Sequence, residues 1–387
     1  MLYCIYTKEG AVMITNTINF SPELSYNLEK LGPAEQLLFF DIETTGFTPS
    51  SSSLYLIGCA FMEQGTWKLT QWFAESLSDE CEILRAFFRF ASRFRCLVHF
   101  NGDGFDLPYL QNCCRQYQMD WGLSALESVD LYKLVRPCRQ LLGLSSIRLK
   151  ACEAFLGLRR KDPFNGGQLI AVYEEYLQSR DFRLLRALLL HNEEDIKGMF
   201  PLMSMLHYAD CLCSPPKLLT ASGDTGSRTL LISAELSACL PVPIRRTVDF
   251  PGAPQGFPEA VLALEGSSLH CSVPLYEGEL KLFYPNYKEY YYLPEEDMAV
   301  HQSVAEFVDK SRRKKASAST CYTRRAGIFL PQPGKEPVFS PVFRQEHRSK
   351  TAFSLWEGIE KTDSALLQSY LEALFTEAAS PRKNAAR

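Results

Sequence analysis

Several features that would place a protein in a class at once are missing from this sequence of 387 residues. No window approaches the roughly 18 consecutive apolar residues that a membrane-spanning helix needs. The first 20 residues lack the small-residue cleavage signature of a signal peptide. No CxxC pair occurs among the 13 cysteines, so the spacing of a zinc knuckle is absent. We therefore expect reduced thiols and a cytoplasmic location.

A large excess of charge of either sign is missing too, because the net charge is only −4. The overall balance therefore does not by itself indicate a nucleic-acid-binding protein. The charges are nevertheless unevenly distributed. Residues 1–214 contain 20 Lys and Arg against 25 Asp and Glu, whereas residues 310–350, here called the basic segment, contain 11 against 2.

The length predicts two domains, because a single core rarely grows beyond roughly 250–300 residues. Apolar runs typical of buried strands come early in the chain and are followed by helical patterns up to about residue 210. After Ser214-Pro215-Pro216 the pattern changes to short β-like runs interrupted by Pro and Gly. We expect an N-terminal extension over residues 1–36, an α/β domain over 37–210 and a β-rich α+β domain over 211–387.

The first motif that indicates chemistry is Asp41-Ile42-Glu43, which directly follows the apolar residues 37–40. On a strand, residues i and i+2 point to the same face, so both carboxylates emerge together. Paired carboxylates repel each other unless a cation lies between them, and hard oxygen ligands suit Mg²⁺ or Mn²⁺. A solvated strand edge is the alternative, but the pair lies at the mouth of a predicted core strand.

Two further motifs offer partners for this pair. Asp106 lies where a loop becomes a helix, so its carboxylate either turns back toward the first strand or caps the helix. His191 and Asp195 are four residues apart in a predicted helix and therefore share a face. A histidine suits a general base that deprotonates water, and a solvated surface histidine is the alternative. We interpret the two glutamates between them as surface charge.

Together, D-x-E on a strand, N-x3-F-D-x2-Y-L and a helical H-x3-D resemble the DEDD 3′–5′ exonuclease superfamily, and most of all its YprB-like branch. The x3 spacing is that of the tyrosine-type subgroup, and His191 stands where that subgroup has tyrosine. The resemblance implies an RNase H-like fold, with a central mixed sheet flanked by helices. It runs from residue 37 to about 210 and includes DIETTG (41–46), LYLIGCAF (54–61), VDLYKLVRP (129–137), LKACEAFLGLRR (149–160) and LLLHNEEDI (188–196).

This resemblance implies a 3′–5′ exonuclease that hydrolyses the phosphodiester bonds of DNA or RNA, with single strands or 3′ ends as the expected partner. Two divalent cations, Mg²⁺ or Mn²⁺, would serve the reaction. Asp130 is either a supporting group behind the metal ligands or a structural residue at a strand end. The implied metal ligands are Asp41, Glu43, Asp106 and Asp195, the implied base is His191, and the implied contacts to the terminal nucleotide are Thr44, Thr45, Gly46, Asn101 and Tyr109.

Two other functions remain open at this point. One is a nucleic-acid-binding protein that keeps the fold but has weak or no activity. The four carboxylates argue against it, whereas His191 in place of tyrosine argues for it. The other is an endonuclease that uses the same metal site.

The basic segment is a candidate surface for a phosphate backbone, and interleaved aromatic residues there could stack on bases. A solvated loop that only aids solubility is the alternative. An acidic half that must attract a polyanion favours binding. Just before the segment, the pattern predicts a helix over residues 298–309. The candidate binding residues are Arg312, Arg313, Lys314, Lys315, Arg324 and Arg325.

Overall fold

The computed structural model of the protein divides into two compact units. One comprises Met1–Arg139 and Leu144–Ala209, and the other comprises Gln140–Gly143 and Asp210–Arg387. None of the helices that the structure describes is long and apolar enough to cross a membrane. The residues described are 2–6, 12–164, 166–224, 226–359 and 364–380.

The first unit is built on a seven-stranded sheet. Its strands are β1 (Leu2–Tyr6), β2 (Val12–Phe20), β3 (Leu37–Thr44), β4 (Leu54–Glu63), β5 (Thr66–Ala74), β6 (Cys96–His99) and β7 (Glu127–Asp130). They lie in the order β1-β2-β5-β4-β3-β6-β7. β3 pairs antiparallel with β4 but parallel with β6, which in turn pairs parallel with β7. The sheet is therefore mixed, as the resemblance implied.

β3 is buried on both sides because helices cover both faces of the sheet. Phe39 stacks on Phe200 of the longest helix, and the next residue, Phe40, stacks on Phe87 of the first helix. Successive residues of a strand point to opposite faces, so these two helices lie on opposite sides. The helices of this part of the chain are α1 (Glu80–Ala91), α2 (Asp106–Gln116), α3 (Leu131–Val135), α4 (Arg139–Leu142), α5 (Leu149–Phe155), α6 (Gly166–Ser179), α7 (Phe182–Leu202) and α8 (Leu206–Cys213).

The predicted N-terminal extension contributes to the same sheet. β2 pairs antiparallel with β5 along its length, from Met13 opposite Ala74 to Phe20 opposite Trp67. The ring of Phe20 also packs edge-on against Phe200. Residues 12–20 are therefore held by the core of the first unit, while residues 7–11 of the extension lie outside the described residues.

The second unit is rich in strands, as predicted. Its strands are β8 (Lys217–Asp224), β9 (Thr229–Glu235), β10 (Ile244–Val248), β11 (Ala260–Glu265), β12 (Ser268–Pro274), β13 (Tyr276–Phe283), β14 (Tyr290–Leu293), β15 (Met298–His301), β16 (Lys314–Lys315), β17 (Tyr322–Gln332), β18 (Phe343–Arg344) and β19 (Ala352–Leu355). Its helices are α9 (Gln302–Ala305), α10 (Trp356–Ile359) and α11 (Ser364–Ala379). An antiparallel sheet has the order β10-β11-β12-β9-β8, a closed barrel contains β13, β17, β19 and β18, and β15-β14-β16 form a small sheet.

The prediction of a helix over residues 298–309 is wrong for most of that range. Residues 298–301 form β15, which pairs antiparallel with β14, and only one helical turn follows. Asp297 forms the turn between these strands, with φ of 49°. Its carboxylate accepts hydrogen bonds from the hydroxyls of Tyr292 and Tyr322 at 2.5 Å. Pairing with a neighbouring strand has overridden the local helical pattern.

Candidate active site

β3 carries Asp41 and Glu43 on the face that α7 contacts. Both lie on the same side of the strand as Phe39, which stacks on Phe200 of α7. Glu43 is only 8% exposed, and the pairing of β3 with β4 becomes irregular between Glu43 and Thr44. The D-x-E pair is therefore not a solvated strand edge but lies at the end of a buried strand.

Asp106 turns toward this pair. It is the first residue of α2, and its Oδ1 accepts a hydrogen bond from the amide of Ile42 at 3.2 Å. Ile42 lies between Asp41 and Glu43, so α2 delivers the carboxylate to the strand that carries them. Of the two alternatives left open by the sequence, the structure favours the orientation toward β3. The residue in the N-cap position is Phe105.

His191 and Asp195 complete the cluster from α7. The Nε2 atom of His191 lies 3.7 Å from Oε1 of Glu43 and 3.6 Å from Oδ2 of Asp195. One donor atom from each of these three residues lies within 4.8 Å of the other two. His191 is only 3% exposed, so the alternative of a solvated surface histidine is wrong.

Burial and neighbouring carboxylates raise the pKa values of Asp41, Glu43 and Asp106. Burial, followed by the charges of Asp195, Glu43 and Asp106, raises the pKa of Asp41 well above its ordinary value. Burial and the charges of Asp195 and Asp106 do the same to the pKa of Glu43. Burial raises the pKa of Asp106 to about 7, with Asp130 and Asp195 contributing. This cluster holds more negative charge than its surroundings neutralise, and its oxygen donors are those that Mg²⁺ and Mn²⁺ prefer.

The guanidinium of a basic residue, Arg160, contacts the cluster directly. The guanidinium of Arg160 forms an ion pair with Asp195 and two hydrogen bonds with Glu153, at 2.5 and 2.8 Å. Arg160 therefore binds Oδ1 of Asp195, while Oδ2 of Asp195 faces Nε2 of His191. Sequence reasoning missed Arg160, since nothing local relates it to a residue 35 positions away.

Asn192, also missed, orients Asp41. Its Nδ2 donates to Oδ2 of Asp41 at 3.0 Å, and its own Oδ1 accepts from Nε2 of Gln71 at 3.0 Å. Gly58 lies between Asp41 and Gln71 in the sheet. A Cβ atom at Gly58 would lie 2.0 Å from Oδ1 of Asn192, so the missing side chain lets α7 approach the sheet closely at β4. The position of Asp41 thus depends on a glycine one strand away.

The two glutamates of the third motif differ from each other. Glu193 pairs with Lys197 at 2.5 Å, as a surface charge would. Glu194 instead accepts hydrogen bonds from the backbone amides of Lys161 and Asp162 at 2.9–3.2 Å. Its interpretation as surface charge is therefore wrong, because it fixes the loop before α6 to α7.

The cluster opens into a cavity of about 650 Å³. Four of the predicted catalytic residues line it: Asp41, Glu43, His191 and Asp195. Other lining groups suit a nucleic acid: Phe47 is 82% exposed, its ring lies 6.2 Å from that of Phe105, and Arg148 and Lys150 supply positive charge. The sequence assigned none of these groups to the site, because only the folded chain brings them to one cavity.

The predicted nucleotide contacts fall into two groups. Thr44 and Gly46 line the cavity, and the hydroxyl of Thr44 donates to the carbonyl of Gly46 at 2.8 Å. The hydroxyl of Thr45 accepts from the amide of Ser53, and the ring of Tyr109 is buried with its hydroxyl 2.9 Å from that of Ser52. These contacts give Thr45 and Tyr109 roles in supporting the turn after β3.

Asn101 and Asp130 form a separate contact. Asn101 has φ of 65°, and its amide donates to Oδ1 of Asp130 at 2.8 Å. The same oxygen accepts from the amide of Tyr132 at the start of α3. Asp130 is therefore a structural residue at a strand end, and its charge also raises the pKa of Asp106. Asp130 therefore holds the end of β7 to the start of α3, and it also acts electrostatically on Asp106, one of the predicted metal ligands.

In the second unit, acidic and aromatic groups contact most of the predicted binding residues. Arg312 pairs with Glu295, and Arg324 pairs with Glu279 at 3.2 Å. Arg313 and Lys315 lie over the ring of Tyr291, at 5.0 and 4.4 Å from its centroid. Lys314 and Arg325 have exposed side chains. The charge that this surface offers to a polyanion is thus smaller than the sequence count suggests.

Comparisons with known proteins give one family and one curated relative. Residues 38–207 match the profile of the RNase H superfamily. The protein YprB of Bacillus subtilis (strain 168) is 25% identical over 208 residues, which are 52% of this chain. The match covers 48% of YprB, so this chain spans about half the length of that relative.

Two solved structures are similar in part. The family B DNA polymerase of Pyrobaculum calidifontis has a TM-score of 0.37 at 12% identity, covering 70% of this chain and 38% of the polymerase. The structure of SSB/Exonuclease I in complex with the inhibitor CFAM has a TM-score of 0.27 at 15% identity, covering 51% and 55%. At TM-scores this low, neither structure indicates the function of this chain.

Proposed function

We propose, from the premise that residues 38–207 belong to the YprB-like branch of the RNase H superfamily, that this protein is a metal-dependent nuclease. Its reaction would be hydrolysis of phosphodiester bonds from the 3′ end of a single strand. The observation that carries the proposal is that carboxylates from three separate segments converge: Asp41, Glu43 and Asp195 line one cavity, and Asp106 is hydrogen-bonded to the strand that carries the first two. Such a cluster is unfavourable without a cation, and a nuclease of this kind needs that cation.

Asp41, Glu43, Asp106 and Asp195 would hold two divalent cations, Mg²⁺ or Mn²⁺. Their carboxylate oxygens are hard donors. The raised pKa values of Asp41 and Glu43 reflect burial first and then repulsion between carboxylates, which a cation would relieve. When bound, divalent cations lower the pKa of water and stabilise negative charge on the leaving oxygen. Arg160 and Asn192 keep Asp195 and Asp41 in place for this task.

His191 would take the proton of the attacking water. Its Nε2 faces the space between Glu43 and Asp195, at 3.7 and 3.6 Å from their oxygens. A base at this position lies beside the proposed metal ligands, where the water must be. The exposed ring of Phe47 would stack on a base, and Arg148 and Lys150 would neutralise phosphates on the cavity wall.

The test uses the full chain with DNA and RNA single strands labelled at the 5′ end, in Mn²⁺, Mg²⁺ or EDTA. We expect a ladder of products shortened one nucleotide at a time from the 3′ end with either cation and none in EDTA. Internal cuts would instead support the endonuclease alternative. Binding without cleavage in both cations would support the inactive binding protein and would overturn the proposal.

The basic segment offers a separate prediction about binding. Lys314→Ala combined with Arg325→Ala should weaken the binding of a single strand, because both side chains are exposed and can reach phosphates. The slope of log K against log salt should become shallower by about 0.7 for each phosphate that is no longer neutralised. Fluorescence anisotropy at several salt concentrations measures both effects. Arg183→Ala, which removes an exposed cation paired with Asp181, is the control. Equal slopes in all three proteins would mean that the segment does not bind nucleic acid.

A further inference from the structure

Asp162, to which the sequence assigned no role, holds the ring of His191. Its Oδ2 lies 2.5 Å from Nδ1 of His191, and its Oδ1 accepts from the amide of Phe164 at 3.0 Å. Burial raises the pKa of Asp162, but hydrogen bonds from Phe164 and His191 outweigh it and lower the pKa below its ordinary value. A carboxylate offers only acceptors, and Oδ1 already accepts from Phe164, so Nδ1 of His191 must donate to Oδ2.

A proton on Nδ1 determines the state of the other ring nitrogen. In neutral imidazole only one nitrogen carries hydrogen, so Nε2 keeps a free lone pair. This is the nitrogen that faces Glu43 and Asp195. The contact with Asp162 thus leaves Nε2, the nitrogen without hydrogen, facing the carboxylate cluster.

The loop that carries Asp162 is fixed to α7 at three successive residues. Arg160 forms an ion pair with Asp195, and the amides of Lys161 and Asp162 donate to Glu194. Lys150 also lies 3.7 Å from Oδ2 of Asp162. Because the loop is tied to α7 at Asp162 itself and at the two residues before it, the carboxylate stays against the ring. The distance between Asp162 and His191 is therefore fixed by the backbone of the loop and of α7.

We propose that Asp162 is a positioning residue that fixes His191 in the tautomer with hydrogen on Nδ1, so that Nε2 can accept the proton of the attacking water. The kinetic part of this inference rests on the nuclease function proposed above, while the tautomer itself does not. The arrangement explains how a histidine can act where the tyrosine-type spacing occurs. The ring is oriented by the carboxylate of Asp162, which lies 29 residues earlier in the chain, in the loop before α6.

Asp162→Asn is the decisive variant, because the two oxygens of Asp162 have different partners. The single oxygen of the new amide side chain would accept from Phe164, which leaves the NH₂ group facing Nδ1 of His191. An NH₂ group can only donate, so Nδ1 would have to accept and the proton would move to Nε2. The variant has the same shape as the wild type but should invert the tautomer.

The first measurement needs no metal and no substrate. Full-length protein labelled with ¹⁵N-histidine is studied by long-range ¹H–¹⁵N correlation at alkaline pH, and His191→Gln identifies the signals of His191. We expect a protonated Nδ1 and an unprotonated Nε2 in the wild type and the reverse in Asp162→Asn. A proton that remains on Nδ1 in the variant would overturn the proposal, as would a proton on Nε2 in the wild type.

The second measurement follows cleavage of a single strand. Asp162→Asn should lower kcat by about 10²- to 10⁴-fold, the range that a positioned general base contributes, and leave KM nearly unchanged. In a His191→Gln background the same substitution should have almost no further effect, because the two residues act as a unit. Equal losses in both backgrounds would overturn the proposal. If the wild type cleaves nothing, the nuclease function fails, and the tautomer measurement still decides the role of Asp162.

Discussion

Replacing Asp41 with Asn should abolish cleavage, with kcat/KM falling by at least about 10³-fold. Asp41 interacts with Glu43, Asp106 and Asp195, which are the other three proposed metal ligands. An amide keeps the hydrogen-bonding shape toward Asn192 but brings no negative charge to a cation. Single-turnover cleavage of labelled single strands in Mn²⁺ measures the loss.

The same variant should fold at least as well as the wild type in the absence of metal. Burial and three neighbouring carboxylates disfavour the charged form of Asp41, so its removal relieves repulsion in the folded state. Asp79→Asn is a matched control, because Asp79 is buried and accepts from the amide of Ser76 outside the cavity. It should cost about 1 kcal/mol of stability and leave cleavage intact. An Asp41→Asn variant that retained a tenth of the activity would contradict the proposed site.

The parts of the site that follow local rules could be predicted from the sequence. Asp41 and Glu43 share a face because a strand has a period of two, and His191 and Asp195 share one because a helix has nearly four residues per turn. The position of Asp106 at the start of a helix also follows from its sequence neighbours. Each of these inferences needs only the residues within one turn or one strand.

The groups that orient the cluster follow no such rule. Asp162 and Arg160 reach α7 across 29 and 35 residues, and Gln71 reaches Asn192 across 121. A charged residue in a polar loop looks the same in the sequence whether it is solvated or buried against a helix. Glu194 was misinterpreted for this reason, because its partners are backbone amides, which carry no sequence signal.

The second unit shows the same limit at the level of whole elements. Residues 298–301 have a pattern that also fits a helix, and only the pairing with β14 decides for a strand. The aromatic residues Tyr290, Tyr291 and Tyr292 indicate a strand locally, but their partner strands are not visible in their own sequence. Charge counts have a similar weakness, since Glu279 and Glu295 pair with basic residues far along the chain.

The metal-free protein should become less stable as the pH rises from about 5 to about 8. The folded pKa values of Asp41 and Glu43 lie well above those of the unfolded chain, and that of Asp106 is about 7. In this window the folded protein therefore binds more protons than the unfolded chain, so raising the pH favours unfolding. Each such proton changes the free energy of unfolding by about 1.4 kcal/mol per pH unit.

Denaturant unfolding at several pH values, in a chelator and in Mn²⁺, measures this linkage. Cations compete with protons for the same carboxylates, so Mn²⁺ should stabilise the protein more at pH 8 than at pH 6. Asp106→Asn removes one of the titrating groups and should flatten the pH dependence in the chelator. Asp79→Asn, which leaves the cluster intact, is the control. The contrary result is a wild type that, between pH 5 and pH 8 in the chelator, gains stability relative to Asp106→Asn. The carboxylates would then not be crowded together, and the proposed metal site would lose its physical basis.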